Sequence, residues 1–298
     1  MQGMPPVCTD GPGSQNQHST FVPDLKPTAS SVRPALSFRS RKALSVAGIT
    51  LCALAFAAAA QAQMITVPNG SFESQLADPG TDVTTNIDNW QKTAQPVDFT
   101  SPNGYTWDQQ MGIFGNTPAG YPNHIDNVDG SQSAYLFDVP GVGLFQDYNS
   151  TDWQNATPTH AFNASYLAGK AYTLTIGVVG GGGHMQPGAV LDLILYYRDG
   201  NNNIVPIADT PITYTTDAFP TTTHLVDYQV NVPTVQATDA WAGQNIGVEL
   251  LSTEGEGYGY WDVDNVRLTP TPEPTSAALL LVGLCGAGLR RHRRQPVR

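Results

Sequence analysis

An all-β fold, an antiparallel sandwich of about ten strands, is what residues 63–269 predict. Three observations carry that reading. Apolar and polar residues alternate in short runs that Gly, Asn, Asp and Pro interrupt, which is the period of half-buried strands. No stretch of the segment repeats its apolar residues at the spacing of an amphipathic helix. The three cysteines, Cys8, Cys52 and Cys285, all lie outside it, so core burial must hold it together without disulfides or thiolate metal sites.

In chain order, residues 1–31 are rich in Pro, Ser and Gln and show no period. They read as a disordered leader or a misplaced start. Residues 32–62 read as a signal-peptide helix. Arg33, Arg39, Arg41 and Lys42 form its basic end, and an apolar stretch follows from Ala43 to Ala60. Ala60 and Ala62 satisfy the small-x-small cleavage rule, which predicts a mature start at Gln63.

Tyr172, Leu174, Ile176 and Val178 alternate with Thr173, Thr175 and Gly177. Val226, Tyr228, Val230 and Val232 alternate with polar residues, as do Ile246, Val248 and Leu250. Further strands are expected near 133–138, 142–148, 189–197, 204–208 and 258–268. The run Arg198–Asn203 is a turn between two of them. Residues 77–130, with five prolines, read as long loops with a few short strands. Gly180–Gly183 precede no Lys-Ser/Thr and no helix, so a phosphate-loop reading fails and a flexible strand connection is expected.

Charge divides unevenly. Ten of the fourteen Lys and Arg residues lie outside 63–269, while 22 of the 25 acids lie inside, giving that segment a net charge of −18. Such a surface repels phosphate backbones, which excludes nucleic acid as a partner.

At the C-terminus, Pro272, Glu273 and Pro274 precede an uncharged stretch, Ala277–Leu289, and a cluster of Arg290, Arg291, Arg293 and Arg294. As a helix the uncharged stretch would reach about 20 Å, short of the ~30 Å hydrocarbon core, so it suits transient retention in the inner membrane. Residues 270–298 resemble the PEP-CTERM sorting signal of Gram-negative bacteria. That resemblance implies an exosortase-type processing enzyme as partner, and export to the cell surface in organisms that make exopolysaccharide.

A second resemblance spans 63–269. The opening Asn69-Gly70-Ser71-Phe72-Glu73, the stretches Asp129–Leu136 and Gly143–Gln146, and the closing Tyr260–Leu268 look like the galactose-binding-like jelly rolls of carbohydrate-binding modules. The resemblance implies that the first and last strands lie side by side and share a structural Ca²⁺. Glu73 would pair with Asp262 or Asp264 as its ligands, since Ca²⁺ takes six to eight oxygens.

All five tryptophans lie in this segment. Exposed aromatic rings stack on the C–H faces of sugars, and neighbouring polar side chains bond the hydroxyls. Tyr105, Trp107, Tyr121 and Trp153 in loops, and Asp192 and Tyr196 on a strand, are the candidate ligand-binding residues. Neither Gly-x-Ser-x-Gly nor His-Glu-x-x-His occurs, and Glu254 and Glu256 sit in a Gly-rich turn that solvates them. No catalytic residue is assigned, and a non-enzymatic, polysaccharide-binding surface protein is expected. A purely structural matrix protein and a polysaccharide hydrolase or lyase are the alternatives.

Overall fold

The computed structural model describes residues 64–74, 76–77, 83–152 and 154–272. The signal segment with Ala60 and Ala62, Trp153, and the sorting tail from Glu273 through Arg290, Arg291, Arg293 and Arg294 lie outside the described residues. Among the described residues no helix is long and apolar enough to cross a membrane.

Eleven strands form among the described residues: β1 (Val83–Thr84), β2 (Gln91–Lys92), β3 (Met111–Gly115), β4 (Gln132–Phe137), β5 (Gly143–Gln146), β6 (Lys170–Gly183), β7 (Val190–Arg198), β8 (Ile204–Thr213), β9 (Val226–Val232), β10 (Gly247–Glu254) and β11 (Gly259–Pro272). A 3-10 turn, Trp107–Gln110, precedes β3. A six-stranded sheet has the order β1-β3-β4-β11-β6-β9, and a five-stranded sheet has the order β2-β5-β10-β7-β8. Every pairing is antiparallel. The fold is therefore the all-β, two-sheet sandwich that the alternation predicts, of the jelly-roll type that the resemblance implies.

Alternation decides what each sheet buries. Leu174, Ile176 and Val178 of β6, Trp261 and Val263 of β11, and Ala134 and Leu136 of β4 point between the sheets and are wholly buried. Leu144, Leu191, Leu193, Leu195, Val248 and Leu250 meet them from the five-stranded sheet. As expected, the opening segment lies against the closing strand. Ile65 N–H donates to Leu268 O at 2.9 Å, and Val266 N–H donates to Gly70 O at 2.8 Å.

Two local readings are corrected. Residues 204–208 continue to Thr213, because Pro206 and Pro211 fall in the sheet's outermost strand, where a missing N–H costs no ladder bond. Gly180–Gly183 are not a flexible connection; they are the last four residues of β6 and pair with β11 through Gly182↔Tyr260 and Gly183↔Gly259. Aromatic rings fill the space where side chains would stand. A Cβ on Gly180 would lie 2.7 Å from Trp261, and one on Gly181 2.9 Å from the Tyr214 hydroxyl.

One ion pair ties a loop to the five-stranded sheet. Asp147 is buried and accepts from Arg198 Nε at 2.6 Å and from the Tyr196 hydroxyl at 2.7 Å. The Arg198 guanidinium also lies 5.5 Å from the Phe145 ring centre. Removing the cation leaves a buried carboxylate unpaired. Arg198→Met should cost about 3 kcal/mol of unfolding free energy in a urea titration. A loss under about 0.5 kcal/mol would show the pair to be solvated.

Candidate active site

The outer face of the six-stranded sheet has a covered half and an open half. Residues 116–131 fold over one part of it. Asp126 N–H donates to Thr223 O at 3.0 Å, and Asn127 exchanges bonds of 2.8 and 2.9 Å with Leu225. Beneath this loop Asp264 and Ser133 are fully buried. Four rings occupy the open half: Tyr105, Tyr135, Phe137 and Tyr260. Phe137 lies 5.4 Å from Tyr105, 6.1 Å from Tyr135 and 5.8 Å from Tyr260, centre to centre. The last two contacts are edge-to-face, the geometry that aromatic quadrupoles favour.

Asp262 stands at the boundary between the halves. The register places it directly opposite Tyr135 on β4, and Tyr260 opposite Phe137. Alternation puts all four on the outer face, because Trp261 and Val263 are committed to the core. The Asp262 carboxyl is buried, and its Oδ1 has no hydrogen-bond partner. Burial alone pushes its pKa up to about 8, so it carries a proton at neutral pH. Tyr260 titrates high as well, through burial and then the proximity of Asp262. Burial, with the charges of Asp108 and Tyr105, raises Tyr135 to about 12. The site therefore joins a neutral carboxylic acid to an aromatic surface that stays uncharged.

The loop carrying Tyr105 is held on three sides. Asn103 Nδ2 donates to Gly257 O at 2.8 Å, and the Trp107 indole N–H donates to Thr93 O at 2.8 Å. Lys92 Nζ donates to Asp108 Oδ1 at 2.6 Å. Burial lowers the Lys92 pKa, and the Asp108 carboxylate opposes that shift without cancelling it.

Glu73 and Asp264 come near one another but play unequal parts. The Glu73 carboxylate accepts from Ser131 N at 2.7 Å, Gln132 N at 2.6 Å and Ser131 Oγ at 2.9 Å. Asp264 Oδ2 accepts from Asp129 N at 2.6 Å, whereas the buried Oδ1 has no partner. Burial raises Asp264 to about 7, and the charges of Asp129 and Glu73 push the same way. A buried, partnerless carboxylate oxygen among acids fits the donor set of a hard cation. Among the described residues no three such side chains form a ready cage, so a cation here would draw on backbone carbonyls as well. Asp262 shares the strand face with Asp264, but no charge from this acidic group figures in its shift.

The ligand-binding candidates divide between surfaces. Tyr105 and Tyr121 expose their rings, at 47% and 64%, and Tyr105 joins the four-ring face. Trp107 and Tyr196 are buried and present no ring for stacking. Asp192 and Tyr196 lie on the other sheet, where burial raises the Asp192 pKa. A cavity of about 480 Å³ beside that sheet's β2 edge is lined by Asn86, Gln91, Lys92, Asp108 and Phe145 among others. Its Gln91 and Lys92 are already engaged with Thr151 and Asp108. Sequence reasoning missed Tyr135, Phe137 and Tyr260 as site residues. Their signal was present, since alternation with Leu136 and Trp261 leaves them outward-facing.

Residues 63–269 match the family model HpiC1-like, described as HpiC1 cyclase. A Stig cyclase, Fisc, from Fischerella sp. TAU, solved in complex with (3Z)-3-(1-methyl-2-pyrrolidinylidene)-3H-indole, is 20% identical with a TM-score of 0.50. The match covers 71% of this chain and 99% of that one. Another cyclase structure from Fischerella sp. TAU is 22% identical at a TM-score of 0.50, over 72% and 100% of the two chains. The CBM22-1 xylan-binding domain of Paenibacillus barcinonensis Xyn10C is 12% identical at a TM-score of 0.41, over 72% and 98%. No curated protein matches. The expected non-enzymatic body is thus corrected, because the matching family and the two similar Fischerella structures are cyclases. That expectation rested on the lack of a linear catalytic motif.

The buried acid has a measurable consequence. Asp262 keeps its proton up to about pH 8 when folded, against 3.8 for its ordinary carboxyl. Between those values the folded state binds the extra proton, so stability falls as pH rises. In buffer with chelator, Asp262→Asn should lose less stability than the parent between pH 5 and pH 8, by on the order of 3 kcal/mol. Parallel losses in the two proteins would mean that the carboxyl is ionised throughout.

Proposed function

Since the chain belongs to the HpiC1-like cyclase family, we propose that it closes a ring in an unsaturated, aromatic-bearing substrate held on the outer face of the six-stranded sheet. The observation that carries this reading is the buried Asp262 carboxyl, with a partnerless Oδ1, beside the rings of Tyr135, Phe137, Tyr260 and Tyr105. The indole-bearing ligand in the Fischerella Fisc structure supports the choice of an aromatic substrate.

In the proposed step Asp262 donates its proton to an electron-rich carbon of the substrate. Positive charge then develops over the ring faces, which attract cations by about 0.5–2 kcal/mol each where water is excluded. An internal π bond attacks the cationic carbon, one carbon–carbon bond forms, and the Asp262 carboxylate recovers a proton from the closed product. Substrate and product are isomers, so no oxidant or reductant is consumed. An acid whose pKa lies near the working pH suits both halves of this exchange.

Asp262→Asn keeps the shape and removes the transferable proton. It should lower turnover of an indole-bearing diene by about 100-fold or more while the affinity for indole changes little. Turnover unchanged in Asp262→Asn would remove the acid from the reaction. Polysaccharide is a second reading of this surface, favoured by the exposed rings of Tyr105 and Tyr121. Ring stacking on a glycan would survive Asp262→Asn and fail in Tyr105→Ala.

Glu73 and Asp264 are the residues that would hold Ca²⁺, as a structural clamp between the opening segment and β11. Calcium should raise the melting temperature of the parent and leave that of Asp264→Asn unmoved. An equal rise in both would place the cation elsewhere. The place of action we propose is the cell surface of a Gram-negative bacterium, reached by signal cleavage after Ala62 and by exosortase-type processing at Pro272-Glu273-Pro274. N-terminal sequencing of the exported protein tests the first of these, with Gln63 as the expected first residue.

A further inference from the structure

The two strand tyrosines of the four-ring face, Tyr135 and Tyr260, lean in opposite directions, and glycines on the flanking strands are what they lean over. Strand order in this region is β3-β4-β11-β6. Tyr135 on β4 is paired with Gly112 on β3, and Tyr260 on β11 is paired with Gly182 on β6. A Cβ on Gly112 would lie 2.8 Å from the Tyr135 ring and hydroxyl, and a Cβ on Gly182 would overlap the Tyr260 ring. Each ring thus rests in the space that a side chain would take on the outer neighbour strand. Between them, over the central strands, stand Phe137 and Asp262.

We propose that Gly182, by seating the Tyr260 ring over β6, sets the width of the floor above Phe137 and Asp262 and so the ring size of the substrate accepted. This rests on the reading of that face as the substrate site. Gly182 is a positioning residue that acts only through Tyr260. Gly112 does the same for Tyr135, but a Cβ there would also strike the Thr84 backbone carbonyl, so it cannot be varied without disturbing β1. At Gly182 the three nearest atoms all belong to the Tyr260 ring, a half-buried side chain rather than backbone. A methyl group at 182 therefore drives the ring off β6 and back over the floor.

The test is equilibrium binding of phenol, indole and carbazole to the purified chain, with near-ultraviolet circular dichroism to confirm folding. Gly182→Ala should weaken indole by at least about tenfold while phenol binding stays within about twofold of the parent. The double variant Gly182→Ala/Tyr260→Leu should recover indole, because the shorter side chain no longer needs the seat. Tyr260→Leu alone, with Gly182 kept, widens the floor and should admit carbazole better than the parent does. It decides the matter if Gly182→Ala fails to fold. Indole and phenol weakened equally in a folded Gly182→Ala, no recovery in the double variant, or no gain of carbazole in Tyr260→Leu would each overturn the role of Gly182. A parent that binds none of the three probes would instead overturn the site itself.

Discussion

The closing strand is the constraint on which the rest of the molecule depends. β11 is bonded on both sides, to β4 over Tyr260–Val263 and to β6 along most of its length. A strand bonded on both edges cannot shift by one residue without turning its whole side-chain set over. Trp261 and Val263 fix the choice, since both are fully buried among core residues. Placing them inward forces Tyr260, Asp262 and Asp264 outward, onto a face that has to be covered or used. Two acids stand on that face because the core on the other side demands it.

How the face is treated decides what each acid becomes. Over Asp264 the chain lays the 116–131 loop, and the Asp129 amide supplies one bond to the carboxylate. The irregular register between Asp264 and Arg267 helps, with Asn265 at φ 57°, a left-handed turn that Asn accepts at small cost. That turn returns Val266 to the core and lets its N–H reach Gly70 O, tying the opening segment to the closing strand. Asp262, two residues earlier, is buried too, and like Asp264 it leaves its Oδ1 without a partner. Its neighbours are rings and apolar side chains, so it is cheaper for the group to keep a proton than to hold a charge. Burial pushes both carboxyls up, Asp262 to about 8 and Asp264 to about 7.

Much of this was legible in the sequence. Eight strands follow from period-two alternation, because half-buried antiparallel strands write their geometry into residue order. The side-by-side opening and closing segments also follow from motif resemblance. Strands β1 to β3 do not, because two to five residues give alternation too few periods to register, and prolines obscure the rest. The glycine run misled for a physical reason. Glycine marks flexibility in isolation, but inside a sheet it marks the close approach of something large, and the rings of Trp261, Tyr214 and Tyr260 come from far outside any local window. The depth at which Asp262 sits escaped the sequence for a similar reason. Its burial is set by a face built from β4, β11 and the Tyr105 loop, which no local window contains.

The same logic explains why the absence of a familiar catalytic motif misdirected the functional reading. Linear motifs arise where chemistry needs several groups from one turn or helix. Here β11 supplies the buried acid and one ring, β4 supplies two rings by the same outward turn of alternating residues, and a loop supplies the fourth. Nothing in Tyr135-Leu136-Phe137 or Tyr260-Trp261-Asp262 differs from the pattern of any half-buried strand until the two are set in register. The register then sets a buried carboxyl beside a cluster of aromatic rings. The glycines beside them at 112 and 182 are part of that same arithmetic, because a ring can lie flat against a sheet only where the neighbouring strand yields it room. In a sandwich of this kind a side chain's partners stand across the strands, and a face becomes visible only when residues are read across the sheet as well as along the chain.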